Sequence, residues 1–202
     1  MNKRHTAQAI YSSPLGRVQM DNFIIFLFIL TLSIGANAKL FKVSDQGNIL
    51  KHNAKDWSCV LDDQSKLVWE VKKTKKGLQS NQNTYTWFDG KTGVENGEYS
   101  RNCNQAQSCN TQSFINALNK NTLCKSINWR LPSEAELKTL LRYGDTEPLI
   151  NTNFFPNTKS KPYWSSDSVN ADIAVDVPFF YGGTQGSDKS FDSYIRAVRN
   201  AK

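Results

Sequence analysis

A cluster of lysines is the part of the sequence whose residue types and spacing most plainly suggest chemistry. It comprises Lys72, Lys73, Lys75 and Lys76, and it would extend to Lys159 and Lys161 if the two segments meet. Closely spaced ammonium groups on an exposed loop attract sulfates and carboxylates additively, and salt weakens that attraction. We therefore predict that the cluster binds an acidic polysaccharide. The alternative interpretation is a solvated hairpin that its charges keep from aggregating.

An aromatic run offers a second way to contact a sugar. Phe179, Phe180 and Tyr181 stand in a segment with several glycines. Exposed rings in such a loop would stack on sugar faces, whereas packing in a core is the competing explanation.

Patterns typical of catalysis or metal binding are weak. The single histidine of residues 39–202 is His52, which has no evident partner, so a Ser-His-Asp arrangement is not expected. There is no glycine-rich phosphate loop and no CxxC pair of the zinc-binding kind. The spacing of Asp89, Asn96 and Glu98 fits no calcium loop. We predict a protein that is not an enzyme and has no catalytic residue, metal or cofactor.

Periodic patterns predict the strands that must position these residues. Hydrophobic and polar residues alternate over 66–71, 84–88, 171–177 and 194–199. Within the third of these strands, Ile173, Val175 and Val177 should point inward. Residues 72–83 are expected to form a polar loop, and residues 178–191 a long loop or hairpin tip.

Two helices are predicted between the strands. The first covers 111–119 with Thr111 as its N-cap. The second covers 133–143, because Ser133 and Glu136 have the spacing of a capping box and Gly144 is placed to end the helix. Strands at both ends with helices between them predict an α+β fold, with the helices packed on an antiparallel sheet.

A group of aromatic and charged residues around the second helix is interpreted as structural. It comprises Trp129, Arg130, Pro132, Glu136 and Trp164. The tryptophans are large enough to anchor a core. As a buried guanidinium, Arg130 would need a carboxylate, which Glu134 or Glu136 would provide.

The four cysteines are expected to form two disulfides, because an even number in an exported chain favours them. Three pairings are possible. We favour Cys103–Cys109, which closes a short loop. The other pair is then Cys59–Cys124, which ties an N-terminal strand to the segment before Trp129. The long-range bridge should stabilise more, by about 3–4 kcal/mol in the chain-entropy description.

The first 38 residues look like an export signal. Phe23 to Ile34 is a run of twelve mostly apolar residues, too short to span a membrane comfortably. Ala36-Asn37-Ala38 follows as a small-x-small cleavage signature. We predict a signal peptide over 1–38, with Met20 as an alternative start and an uncleaved anchor as the competing interpretation. The mature protein should be periplasmic, at the cell surface or secreted.

The remaining chain is expected to form one domain. Residues 39–56 read as a polar lead-in and residues 57–202 as the domain itself. Three of the 25 basic residues and one of the 18 acidic residues lie in 1–38, so the rest is only modestly basic. That charge does not indicate nucleic-acid binding. We expect no membrane span after signal cleavage.

A series of short motifs follows one another along the chain in a distinctive order. They are Val68-Trp69-Glu70-Val71, Tyr85-Thr86-Trp87, the Cys103/Cys109 loop, Phe114, Leu118-Asn119, Cys124, Trp129-Arg130-Leu131-Pro132, Glu136-Leu137, Phe155-Pro156-Asn157, Tyr163-Trp164-Ser165-Ser166 and Arg196-Ala197-Val198-Arg199. Their order resembles the bacterial Lcl (Legionella collagen-like) C-terminal domain family over roughly residues 57–200. This resemblance implies a C-type-lectin-like fold of the formylglycine-generating-enzyme type, with a twisted antiparallel sheet and two helices.

The same resemblance implies an adhesive, glycan-binding role. We expect the partner to be an extracellular polysaccharide, anionic or neutral, or a host-matrix component. The adhesin for which the family is named binds sulfated glycosaminoglycans and forms trimers, but this chain has no collagen-like repeat, so its oligomeric state stays open. A non-glycan subunit of a surface assembly is the alternative function. An oxidase-like enzyme is a remote one, because such chemistry needs reactive thiols.

Overall fold

The computed structural model describes residues 39–98, 100, 103, 108–144 and 146–201. The predicted signal peptide lies outside the described residues. Within the described part of the chain, no helix is long and apolar enough to cross a membrane. The elements are β1 (Leu40–Val43), β2 (Cys59–Asp62), β3 (Leu67–Glu70), α1 (Thr111–Lys120), a 3-10 turn (Leu123–Lys125), α2 (Glu134–Thr139), β4 (Pro162–Ser168), β5 (Ile173–Pro178), β6 (Gln185–Asp188) and β7 (Val198–Asn200).

The strands form two antiparallel sheets. One sheet has the strand order β1-β2-β3-β7 and the other has the order β4-β5-β6. The α+β class with antiparallel strands and two helices is confirmed, although the strands divide between two sheets where the sequence suggests one.

The four-stranded sheet is covered on both faces. Successive side chains of a strand point to opposite faces. Val43 and Val68 therefore contribute to a hydrophobic cluster that includes α1, whereas Val60 and Trp69 contribute to a second cluster that includes α2. Since both faces of β3 are covered, all four of its residues are buried, Glu70 at its end among them.

The N-cap of helix α1 is Asn110, one residue before the predicted Thr111. The side chain of Asn110, not Thr111, accepts a hydrogen bond from the Ser113 amide at 2.8 Å. The buried hydroxyl of Thr111 is otherwise engaged, because it donates to the Phe88 carbonyl at 2.6 Å and accepts from the Phe88 amide at 2.9 Å. Thr111 thus joins the helix to segment 84–88.

Helix α2 starts as predicted and ends early. Ser133 and Glu136 form the complete capping box. The helix stops at Thr139, however, and not near Gly144. Beyond it Leu141 pairs with Ile150 in an antiparallel bridge, which draws the backbone out of the helical path.

Several predicted strand boundaries are wrong. Segment 84–88 forms only isolated bridges, to three different parts of the chain, although Tyr85 and Trp87 are buried as a strand would have placed them. The predicted lead-in contains β1, which forms one edge of the larger sheet. The predicted loop over 178–191 contains β6, and the last strand is only the three-residue β7.

The disulfides follow the favoured pairing. Cys59 is bonded to Cys124 and Cys103 to Cys109, so no cysteine is free. The first pair is buried and links β2 to the turn after α1.

Strand β5 turns a carboxyl group inward. The prediction that Ile173, Val175 and Val177 point inward is wrong for the first two, which are only partly buried, while Ala174 and Asp176 are fully buried. Among the described residues, neither oxygen of Asp176 accepts a hydrogen bond of ordinary geometry. Burial raises the pKa of Asp176 to about 6, and the nearby polar side chains of Ser187 and Gln185 only partly oppose this.

We expect Asp176→Asn to stabilise the fold at pH 7 by up to about 3 kcal/mol. The pKa of Asp176 lies roughly two units higher in the folded than in the unfolded protein, and each unit corresponds to about 1.36 kcal/mol. The raised folded-state pKa means that the native charge is costly above pH 6, and that this cost disappears as the pH falls towards the unfolded value. Urea denaturation of both proteins should therefore give a difference at pH 7.5 that shrinks by pH 4. A difference independent of pH would contradict this account.

Candidate functional site

The predicted lysine cluster lies on a loop that is closed by its own backbone. We call residues 72–81 the lysine loop. The Lys73 amide donates to the Gln79 carbonyl and the Asn81 amide to the Lys73 carbonyl, both at 2.8 Å. Between these bonds the chain reverses at Gly77, whose φ of +145° suits a residue without a side chain. The loop therefore presents its tip in one fixed arrangement.

Lys72 is not an exposed ligand, which corrects its assignment to the binding cluster. Its side chain is only 2% exposed, and its ammonium group lies 2.8 Å from a carboxylate oxygen of Glu70. Lys72 follows the buried Val71 and a strand that is buried on both faces, and its side chain also turns inward. The ammonium group also lies 4.7 Å from the centre of the Phe114 ring.

A second buried cation contacts Glu70 through its backbone carbonyl. Arg196 is fully buried and donates to the Glu70 backbone carbonyl at 2.6 Å and to the Thr158 hydroxyl at 2.7 Å. The other oxygen of Glu70 accepts from the Ala197 amide at 3.1 Å. Burial lowers the pKa of Lys72 and of Arg196, and the charge of Glu70 opposes both shifts. We call these three residues the Glu70–Lys72–Arg196 cluster.

The remaining lysines of the loop reach solvent to different degrees. Lys73 is partly buried, forms an ion pair with Asp56 and donates to the Trp57 carbonyl at 2.6 Å. This contact lowers the pKa of Asp56. Lys75 and Lys76 are exposed, and no carboxylate of the described residues forms an ion pair with either. Their charges are available to a ligand.

Clefts flank the lysine loop on two sides. The larger has a volume of about 560 Å³, and its lining includes Lys55, Trp57, Lys73, Lys75 and Asn157. We call it the Trp57 cleft. The other, of about 320 Å³, shares Lys73 and Lys75 and adds Lys76 and Asp45. We call it the Asp45 cleft. The two clefts thus place four lysine side chains along one continuous surface.

Lys159 and Lys161 are not brought into this surface. The segment before them does reach the loop, because the Asn157 amide group donates to the Lys72 carbonyl at 3.1 Å. Lys161 is exposed and Lys159 is partly buried, but neither lines the Trp57 cleft or the Asp45 cleft.

Sequence reasoning missed Lys55 and Trp57. They fall at the boundary between the predicted lead-in and the domain, where no local pattern marks them. The hairpin of β2 and β3 brings them to the site, because the Val71 amide donates to the Ser58 carbonyl at 3.0 Å and so aligns residues 55–57 with 71–73. A prediction of that hairpin would have found both.

Arg130 and Glu136 form the predicted ion pair, but at the surface. Two guanidinium nitrogens of Arg130 lie 2.7 and 2.6 Å from the two oxygens of Glu136. The Arg130 side chain is 43% exposed, so the prediction that it is buried is wrong. The contact lowers the pKa of Glu136 and raises that of Arg130. Since Glu136 also caps α2, the pair orients the helix against Arg130.

A third cleft of about 450 Å³ lies beside this ion pair. Its lining includes Arg130, Asp89, Gln112 and Asn116. All four cysteines are bonded, so no thiol faces it. Trp129 and Trp164 are buried, which agrees with their predicted structural role.

The other candidate residues are also located. Phe179 is fully buried, whereas Phe180 and Tyr181 are exposed. In the predicted oxygen-rich segment, Asn96 and Glu98 hydrogen-bond to one another at 3.0 Å. Among the described residues, no group of His, Cys, Asp and Glu side chains is arranged to hold a metal ion.

The fold and these clefts define a disulfide-linked α+β domain with a basic, cleft-flanked loop. The family model of the Lcl C-terminal domain matches residues 58–199. The chain therefore belongs to the Lcl C-terminal domain family, as the order of its motifs predicts. No curated protein matches the chain.

Proposed function

We propose that this protein is an exported bacterial binding module with a C-type-lectin-like architecture, which recognises an anionic glycan at or outside the cell surface and serves adhesion. The observation that carries the proposal is the lysine loop between its two clefts. Lys55, Lys73 and Lys75 surround a space of about 560 Å³, large enough for a sugar unit and its acidic substituents.

Charge and geometry favour an extended acidic ligand. Lys75 contributes to both clefts, so one chain of sulfates or carboxylates can pass from the Trp57 cleft over the loop to Lys76. Asp56 lines the Trp57 cleft and Asp45 lines the Asp45 cleft, so the four lysines leave a net positive surface. Attraction between exposed charges acts additively and weakens with ionic strength. Trp57 and Asn157 add an apolar surface and an amide group for the uncharged parts of the sugar.

We expect the triple variant Lys55→Gln, Lys75→Gln, Lys76→Gln to bind immobilised heparin roughly tenfold more weakly at physiological salt. Each lost exposed contact contributes about 0.2–1 kcal/mol. The matched control is Lys66→Gln, Lys91→Gln, Lys125→Gln, which removes three exposed charges outside both clefts. Elution salt and the dissociation constant are the measurements.

Equal losses in the two triple variants would overturn the proposal. The lysine loop would then be a solvated surface, and a non-glycan subunit of a surface assembly would be the better function. The double variant Lys159→Gln, Lys161→Gln should lower heparin affinity no more than Lys66→Gln with Lys91→Gln does, since none of these four lysines lines either cleft.

A further inference from the structure

Three exposed aromatic side chains lie together on a surface that shares no residue with the lysine-loop clefts. They are Tyr143, Phe180 and Tyr181, with exposed fractions of 68%, 39% and 47%. Phe180 and Tyr181 follow β5, whereas Tyr143 follows α2. The Tyr143 hydroxyl donates to the Gly182 carbonyl at 2.8 Å, which joins the two segments. We call the three residues the aromatic platform.

Two glycines hold the rings in place. Gly182 has φ of +74°, and a Cβ added there would lie 2.7 Å from a ring carbon of Tyr143. A Cβ added at Gly183 would collide with the ring of Tyr181. Both tyrosine rings therefore lie against bare backbone. The ring of Phe180 meets that of Tyr181 edge to face, with centroids 4.8 Å apart. These contacts restrict the orientations open to the three rings.

Polar groups border the platform. The Tyr181 hydroxyl lies 3.3 Å from the Gln185 amide oxygen. The Thr184 hydroxyl donates to a carboxylate oxygen of Glu134, which ties the loop to α2. The charge of Glu134 is itself balanced by Lys138 at 2.6 Å. The border can therefore exchange hydrogen bonds with hydroxyl groups without attracting an ion.

We propose that the aromatic platform is a second glycan subsite, which stacks the pyranose rings of an uncharged saccharide. Exposed ring faces receive the C–H face of a sugar, and the Gln185 and Glu134 side chains receive its hydroxyls. Rings already fixed on glycine lose little conformational freedom on binding. The inference rests on the proposed function only in that the ligand is a glycan. It assigns neutral sugar units to a surface other than the lysine loop.

Affinity electrophoresis of the mature protein in gels containing dextran, laminarin, mannan or galactan tests the inference. We expect retardation in at least one gel and a roughly tenfold weaker affinity for Tyr181→Ala. Gly183→Ala keeps every ring but displaces Tyr181, so it should weaken binding as well. Phe191→Ala is the matched control, because Phe191 is 62% exposed and lies outside the platform.

The outcomes separate the two proposals. The platform is supported if Tyr181→Ala weakens the retardation while Phe191→Ala and the lysine triple variant leave it intact. This holds whether or not the protein binds heparin. Absence of retardation in all four gels overturns it, as does an equal effect of Tyr181→Ala and Phe191→Ala. Loss of the heparin difference between the lysine variants, with neutral binding intact, overturns only the lysine-loop proposal.

Discussion

Glu70→Gln is expected to destabilise the protein by about 3–5 kcal/mol, because it leaves the buried Lys72 ammonium without the carboxylate that pairs with it and removes the negative charge that favours the buried Arg196 cation. The amide retains the shape of the side chain and one acceptor for the Ala197 amide, so the loss reports charge more than packing. Chemical denaturation at pH 7 measures it.

Lys72→Met provides the comparison within the same cluster. Removing Lys72 leaves the buried Glu70 carboxylate without its ion-pair partner, although a methionine fills the space beside Phe114. We therefore expect a cost of about 3–5 kcal/mol, similar to that of Glu70→Gln, because breaking a buried ion pair leaves one charge uncompensated. The double variant Glu70→Gln, Lys72→Met should recover part of the loss seen in Glu70→Gln. A double variant no more stable than Glu70→Gln would contradict this assignment.

The same variant separates structure from binding. Because Lys72 is buried, Lys72→Met should leave heparin affinity unchanged at a temperature where the variant is folded. A loss of heparin affinity comparable to that of the exposed lysine variants would show that Lys72 is part of the ligand site.

Removal of the Cys59–Cys124 bridge by alanine substitution at both positions is expected to cost about 4 kcal/mol. The bridge closes a separation of 65 residues, and the entropy that it removes from the unfolded chain grows with the logarithm of that length. Both sulfurs also lie in the cluster under α1, so their loss leaves unfilled space. Urea denaturation of oxidised protein gives the difference.

The Cys103–Cys109 bridge is the matched control. Its separation is only six residues, and Cys103 is only partly buried, so the corresponding double alanine variant should lose about 2 kcal/mol. Equal losses for the two bridges would show that loop length is not what makes the long bridge stabilising.

Features made by near neighbours in sequence were predictable. The capping box of Ser133 and Glu136 is completed within four residues, so it needs nothing from the rest of the fold. Burial of Trp129 and Trp164 was expected from their size, because an exposed indole leaves a large apolar area in contact with water. The disulfide pairing was among three open possibilities, and its preference followed from loop lengths.

Burial of polar residues was not predictable in the same way. Alternation assumes that one face of a strand meets water, but β3 is covered on both faces and β5 turns Ala174 and Asp176 inward. Hydrophobic pattern therefore assigned Ile173 and Val175 to the wrong side. For the same reason, the sequence could not show that Lys72, among the lysines of the loop, is the buried one.

The sequence by itself determined the family, the α+β class, the start of α2 and the lysine-rich character of one loop. Tertiary structure alone decided that Lys72 is buried in a cluster with Glu70 and Arg196. It also brought Lys55 and Trp57 beside the lysine loop and placed Tyr143 against Gly182. The physical reason is distance along the chain. Local hydrogen bonds and helix caps depend on adjacent residues, whereas burial and proximity depend on segments that only the complete fold brings together.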